Sequence, residues 1–154
     1  MANRSAGILL YRRAKNEILV LLVHPGGPFW KKRDLGAWSI PKGEHPDEEA
    51  PEIAARREFA EETGMLPSGP SLPLGEIRQK AGKWVIGFAI EGDFDPETLR
   101  SNMFETEWPP KSGHMQSFPE VDRAEWFTLA QAREKILPAQ RPFLDRLEEV
   151  CDRT

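Results

Sequence analysis

The chain has 154 residues, 30% of them charged and 39% hydrophobic, with a formal charge of −4. A chain of this length suits one domain, residues 1–154, able to bury roughly 70% of its unfolded surface, and the composition excludes a disordered polypeptide. The acidic balance, with no basic run beyond Lys31-Lys32-Arg33, argues against a broad nucleic-acid footprint, and the single cysteine, Cys151, excludes an intrachain disulfide or a multi-thiolate zinc site.

In chain order, Ala6 to Arg12 and Glu17 to His24 are apolar runs of strand length separated by Arg13-Ala14-Lys15-Asn16, which predicts an antiparallel pair with a polar turn. The second run is apolar almost throughout and is expected to be buried on both faces. Pro25-Gly26-Gly27-Pro28 breaks the pattern, and a basic, aromatic loop from Phe29 to Leu35 leads to Trp38-Ser39-Ile40-Pro41-Lys42.

A glycine loop beginning at Gly43 then runs into a helix that Pro51 opens and Gly64 closes. Ile53, Phe59 and Ala60 are expected on its buried face. At about 100° per residue, Glu58, Glu61 and Glu62 share roughly a quarter-turn sector, where like charges repel. Arg57, one turn before Glu61, cannot neutralise all three, since a helical ion pair contributes only ~0.2–0.5 kcal/mol. Carboxylates converging from one turn suit a hard divalent cation such as Mg²⁺ or Mn²⁺.

Beyond the helix, Pro67, Gly69, Pro70 and Pro73 mark a loop, and Leu74–Gln79 and Trp84–Glu91 read as strands joined by a turn around Ala81-Gly82. Gly92 to Pro119 reads as one long polar loop, of the kind that is functional or disordered. Glu125-Trp126-Phe127 is expected to be a short strand. Thr128 with Gln131 fits a capping box for a helix through Ile136, and Pro142–Val150 a final helix. Early strands, a central helix, further strands and terminal helices imply an α/β fold with a mixed sheet and helices on both sides. Trp38, Trp84 and Trp126 suit the core or a cleft wall. His24, His45 and His114 lack metal-ligand spacing, although His24 could touch a ligand from its strand end. Neither a P-loop nor a Gly-x-Ser-x-Gly elbow is present. With no apolar run near 18 residues and no leader-like segment, the expectation is a soluble protein of the reducing cytoplasm that spans no membrane.

Gly43, Glu49, Arg57, Glu58, Phe59, Glu61, Glu62, Gly64 and Met65 resemble the Nudix box, Gly-x5-Glu-x7-Arg-Glu-U-x-Glu-Glu-x-Gly-U with U bulky and apolar, at every fixed position. The resemblance implies the Nudix fold, an α/β/α sandwich with a central mixed β-sheet. It implies hydrolysis of a phosphoanhydride bond in a nucleotide substrate with Mg²⁺ or Mn²⁺. It makes Glu58, Glu61 and Glu62 metal ligands, adds the Gly43 carbonyl, and pairs Glu49 with Arg57, which joins the catalytic set as their support. Glu120 is the candidate for the further carboxylate, metal ligand or general base, that many members use outside the box, with Asp122 and Glu125 as alternatives. Whether it or a box glutamate takes the water's proton stays open. Lys42 is the foremost candidate for phosphate contact and Lys111 a second, while Trp108 is a candidate to stack on a base. Ser5–Arg13 and Trp38–Gly43 are most similar to dinucleoside polyphosphate hydrolases of the diadenosine tetraphosphate type. A house-cleaning nucleoside triphosphate pyrophosphatase, an RNA 5′-pyrophosphohydrolase and a non-catalytic nucleotide sensor are the alternatives, and the sequence leaves oligomeric state open.

Overall fold

The two apolar runs near the start of the chain form the middle of the sheet. In the computed structural model, which describes residues 4–79 and 82–152, β1 (Arg4–Ala14) and β2 (Glu17–Pro25) pair antiparallel with Ala14 opposite Glu17. Lys15 and Asn16 both take positive φ, 49° and 67°, as a tight two-residue hairpin turn requires. On its other side β1 runs parallel to β5 (Trp84–Glu91), in register from Arg4 opposite Trp84 to Tyr11 opposite Glu91. The strand order is β4-β5-β1-β2-β8, with β4 at Ser71–Arg78 and β8 at Val121–Thr128, while short β3 (Lys42–Glu44) pairs with Ser5–Gly7 of β1. The sheet is therefore mixed.

Alternation along the strands divides the core in two. Leu9, Tyr11, Val20 and Leu22 face α2 (Leu129–Lys135) and α3 (Arg141–Asp152), packing with Ala132, Phe143, Leu144 and Leu147. Ile8, Leu10, Leu21 and Val23 face α1 (Pro51–Thr63), meeting Ala54, Ala55 and Phe59. This is the α/β/α sandwich expected, with β2 buried on both faces. Thr128 caps α2 through the reciprocal bonds with Gln131, and the helix stops at Lys135 with Ile136 as its cap. Among the described residues, no helix is long and apolar enough to cross a membrane.

Three expectations need revision. Ile53 is 62% exposed and Ala60 only half-buried; the buried arc of α1 is centred on Ala55, Phe59 and Glu62, because small alanines let the helix lie close on the sheet. The last strand of the sheet is longer than Glu125–Phe127, since pairing with β2 continues back to Val121 opposite Pro25. Within Gly92–Pro119, a single 3₁₀ turn at Pro96–Thr98 is followed by a hairpin, β6 (Met103–Glu107) with β7 (Met115–Pro119), that makes a two-stranded sheet of its own. Its strands bury only one face weakly, so the alternation that betrays a strand is faint. Of the turn expected around Ala81-Gly82, Ala81 lies outside the described residues; Gly82 N–H donates to the Gln79 carbonyl at 3.1 Å.

Candidate active site

The acidic helix is held by its own arginine and by a glycine it nearly touches. Arg57 makes a bidentate pair with Glu49, Nε to Oε2 and Nη2 to Oε1, both 2.8 Å, which fastens the preceding loop to the helix. Its third nitrogen donates to Glu58 at 2.7 Å and to Glu61. These bonds hold the guanidinium above its usual pKa and the Glu49 carboxyl below its own. A Cβ on Gly43 would stand 1.8 Å from Oε1 of Glu58, so only glycine lets the carboxylate lie against the backbone there.

Lys42, Glu62 and Glu120 line one cleft of about 120 Å³, with Ser39 and Val23 in its wall. Glu62 is 8% exposed, and its Oε1 accepts from the backbone N–H of Lys42 at 3.3 Å. Burial, aided by the charges of Glu120 and Glu58, pushes its carboxyl up to about 8 against the opposing pull of Lys42. Burial raises Glu58 as well, with Glu61 and Glu120 adding to it, and burial raises Glu120 with a contribution from Glu61. Lys42 is pushed the other way, down, by its own burial. One lysine thus faces several partly desolvated acids.

Glu120 reaches this cleft through contacts that no local pattern announces. Asn102, just before the hairpin, donates its N–H to the Glu61 carbonyl at 2.8 Å, and its own carbonyl accepts from the N–H of Glu120 at 2.9 Å. Arg100 N–H likewise donates to the Thr63 carbonyl at 2.9 Å, so the segment satisfies carbonyls that the end of α1 leaves without helical partners. From the other side, Gly26 N–H donates to the Glu120 carbonyl at 2.9 Å. Asn102 carries no motif in the sequence, and Ser39 appears there only within the Trp38–Gly43 segment.

The remaining candidates fall outside the cleft. Lys111 sits in the tip of the β6–β7 hairpin at φ 62°, its N–H donating to Glu107 at 3.0 Å, and it is not among the lining residues. Trp108 packs edge-on against Phe29, with ring centroids 5.3 Å apart. Asp122 and Glu125 do not line the cleft either: Asp122 Oδ1 lies 2.8 Å from Nδ1 of His24, and Glu125 lies near Arg123 on the surface. His24 is fully buried, its Nε2 donating to the Arg33 carbonyl at 2.6 Å, so both ring nitrogens are engaged in binding the 26–36 loop to β8 rather than in reaching a ligand.

The donor set fits a hard divalent cation. Among the described residues, no three acidic, histidine or cysteine side chains converge as a ready metal cluster, because Arg57 draws Glu58 and Glu61 to itself. Yet the acids raise one another's pKa, and the Glu58 carboxylate lies directly against the Gly43 backbone. Oxygen donors short of positive charge are what a divalent cation would complete.

The NUDIX domain family model matches residues 1–147. No curated protein sequence matches the chain significantly. Among solved structures, the Ap4A hydrolase of C. elegans in a binary complex is similar at TM-score 0.68 and 19% identity, covering 97% of this chain and 99% of that one. The NUDIX domain of Shewanella oneidensis NrtR, complexed with ADP ribose, is similar at TM-score 0.63 and 18% identity over 96% and 87% of the two chains. The MutT protein of Methanosarcina mazei Go1 is similar at 0.57 and 21% identity, over 96% and 94%. At such identities the structural likeness speaks for the fold, whereas the family match covers nearly the whole sequence. The chain belongs to the Nudix family and is a hydrolase acting on phosphoanhydride bonds.

Proposed function

We propose that the protein is a Mg²⁺- or Mn²⁺-dependent pyrophosphohydrolase of nucleoside polyphosphates, with dinucleoside polyphosphates as its substrate class. The observation that carries the reading is the meeting of Lys42, Glu62 and Glu120 in one cleft beside a Glu58 carboxylate laid on Gly43. Glu58, Glu61, Glu62 and Glu120, with the Gly43 carbonyl, would hold the metal. When bound, such a cation neutralises phosphate oxygens and makes water a better nucleophile at neutral pH.

The chain's own residues supply the rest. Lys42, beside the acids, offers its ammonium to the phosphate chain. Glu49 and Arg57 act as positioning residues, fixing the loop and the orientation of Glu58 and Glu61. Water attacks one phosphorus, the bond to the departing phosphate oxygen breaks, and a carboxylate of the cleft takes the water's proton. Glu120 suits that role because, alone of the four acids, it comes from outside the helix, and unlike Glu58 and Glu61 it is not held by Arg57. The segments Ser5–Arg13 and Trp38–Gly43, similar to those of dinucleoside polyphosphate hydrolases, support the choice of substrate.

The test is metal-dependent turnover on diadenosine tetraphosphate, nucleoside triphosphates, nucleotide sugars and triphosphorylated RNA in ¹⁸O-water, with products identified by mass. ATP plus AMP from diadenosine tetraphosphate, with label in one of them, is the expected result. Faster release of pyrophosphate from nucleoside triphosphates would replace the substrate assignment, and nucleotide binding without any turnover would overturn the enzymatic one.

A further inference from the structure

The Gly26–Gly36 loop and the Gly92–Pro119 insert, the two stretches outside any motif, pack on each other. The Phe104 ring lies over Gly27, where φ is +96° and a Cβ would stand 2.9 Å from the ring. Phe104 in turn neighbours Phe118 across the hairpin, and Phe29 meets Trp108 edge-on at an interplanar angle of 79°. Between the two stretches is a cavity of about 450 Å³ whose wall includes Lys31, Trp108, Gln116, Phe118 and Asp122. It adjoins the acidic cleft along both segments: Pro25 lines the cleft and Gly27 the cavity, while Glu120 lines the cleft and Pro119 the cavity. The bond from Gly26 N–H to the Glu120 carbonyl lies at this junction.

We propose that this cavity is the site for the heteroaromatic base of the substrate, whose phosphate chain leads to Lys42, Glu62 and Glu120. The proposal deepens the hydrolytic reading and rests on it for the identity of the second half of the ligand. The volume lies within the roughly 300–1,000 Å³ of small-molecule sites, and aromatic walls with a few polar groups are the usual lining of such sites. The edge-on contact with Phe29 fixes the indole of Trp108 without giving it a parallel stacking partner. Gln116 Nε2 donates to the Trp108 carbonyl at 2.8 Å, so the tryptophan is held at both side chain and backbone. A base laid on a ring held in this way loses little ordering entropy in the protein.

The ¹⁵N-indole spectrum of the full chain, with its five tryptophans assigned by single Trp→Phe variants, tests this with AMP and with ribose 5-phosphate as the base-free control. AMP is expected to shift the Trp108 resonance and ribose 5-phosphate to leave it in place. Trp108→Ala should weaken AMP binding roughly five- to hundred-fold, and Trp108→Phe should recover most of it. An AMP titration that leaves the Trp108 resonance unmoved, or a Trp108→Ala protein that binds AMP as the parent does, overturns the proposal. The outcome is independent of turnover. A moving Trp108 signal in a chain that cleaves no anhydride defeats the hydrolytic reading alone, and cleavage with a static signal defeats the base site alone.

Discussion

The loop and helix from Gly43 to Met65 and the hairpin from Met103 to Pro119 both lead to the same cleft, and they reach it by opposite means. The first is held largely by itself: Glu49 with Arg57, Arg57 with Glu58 and Glu61, and Glu58 on Gly43 are all contacts within one stretch. The second is held by others. Its aromatic rings rest on the 26–36 loop, and the residues at its two ends, Asn102 and Glu120, are tied to α1 and to Gly26. A self-contained unit suits chemistry that must be rigid and invariant in geometry, whereas a borrowed one can vary in sequence as long as its anchors remain.

If the comparison is right, substitutions should fall into a graded series. The largest effect is expected from Glu62→Gln, which removes a buried acid of the self-contained unit and should lower metal-dependent turnover by roughly two orders of magnitude or more, without unfolding the chain. Steady-state rates beside a melting curve check it; activity within a few-fold of the parent would break the ligand assignment.

Glu120→Gln should cost at least about ten-fold in kcat, since that acid is delivered by the hairpin's neighbouring segment rather than by the helix. An unchanged rate would move the outer carboxylate elsewhere, and a pH–rate profile that loses its acidic limb would mark Glu120 as the base.

A smaller effect concerns stability. In metal-free protein the Glu62 carboxyl is raised by burial from 4.5 to about 8, so the native state keeps a proton that the unfolded chain has already released. Stability should therefore fall as pH rises from about 4.5 toward 8. Glu62→Gln cannot ionise and should melt a few degrees above the parent in chelator at pH 8, the two converging near pH 4.5. Melting curves across that range decide it, and a variant less stable than the parent at pH 8 would show that the buried charge is already compensated.

The smallest effect is expected at the hairpin tip. Lys111 is exposed there and outside the cleft, so Lys111→Ala should leave kcat/KM within about two-fold. A ten-fold loss would bring the tip into the phosphate site and weaken the division drawn between the two regions.

Much of α1 was legible because its determinants are local. Pro51 at the first helical position, Gly64 at φ 87° and the spacing of the acids all act within a few residues, and a helix closes its hydrogen bonds four residues apart. The capping box at Thr128 and the Lys15-Asn16 turn belong to the same kind. The buried face of α1 was legible only in part: Phe59 turns inward as expected, but Ile53 is more apolar than Ala55, and only the close approach to the sheet decides that the alanine goes inward. Lys111 illustrates the same limit in the insert: in sequence it is a cation on a polar loop, and in the fold it sits in the turn at the hairpin tip.

By itself, then, the sequence determined the family, the acid-bearing helix with its ends, and the apolar strands at the centre of the sheet, because spacing within a helix or strand is a property of consecutive residues. Only the tertiary structure decided that Gly92–Pro119 folds as a hairpin, that Asn102 and Gly26 bring Glu120 to Glu62 and Lys42, and that Arg57 holds Glu58 as well as Glu49 and Glu61. The first two depend on hydrogen bonds between residues far apart in the chain, and the burial that raises Glu62 depends on the sheet beneath it.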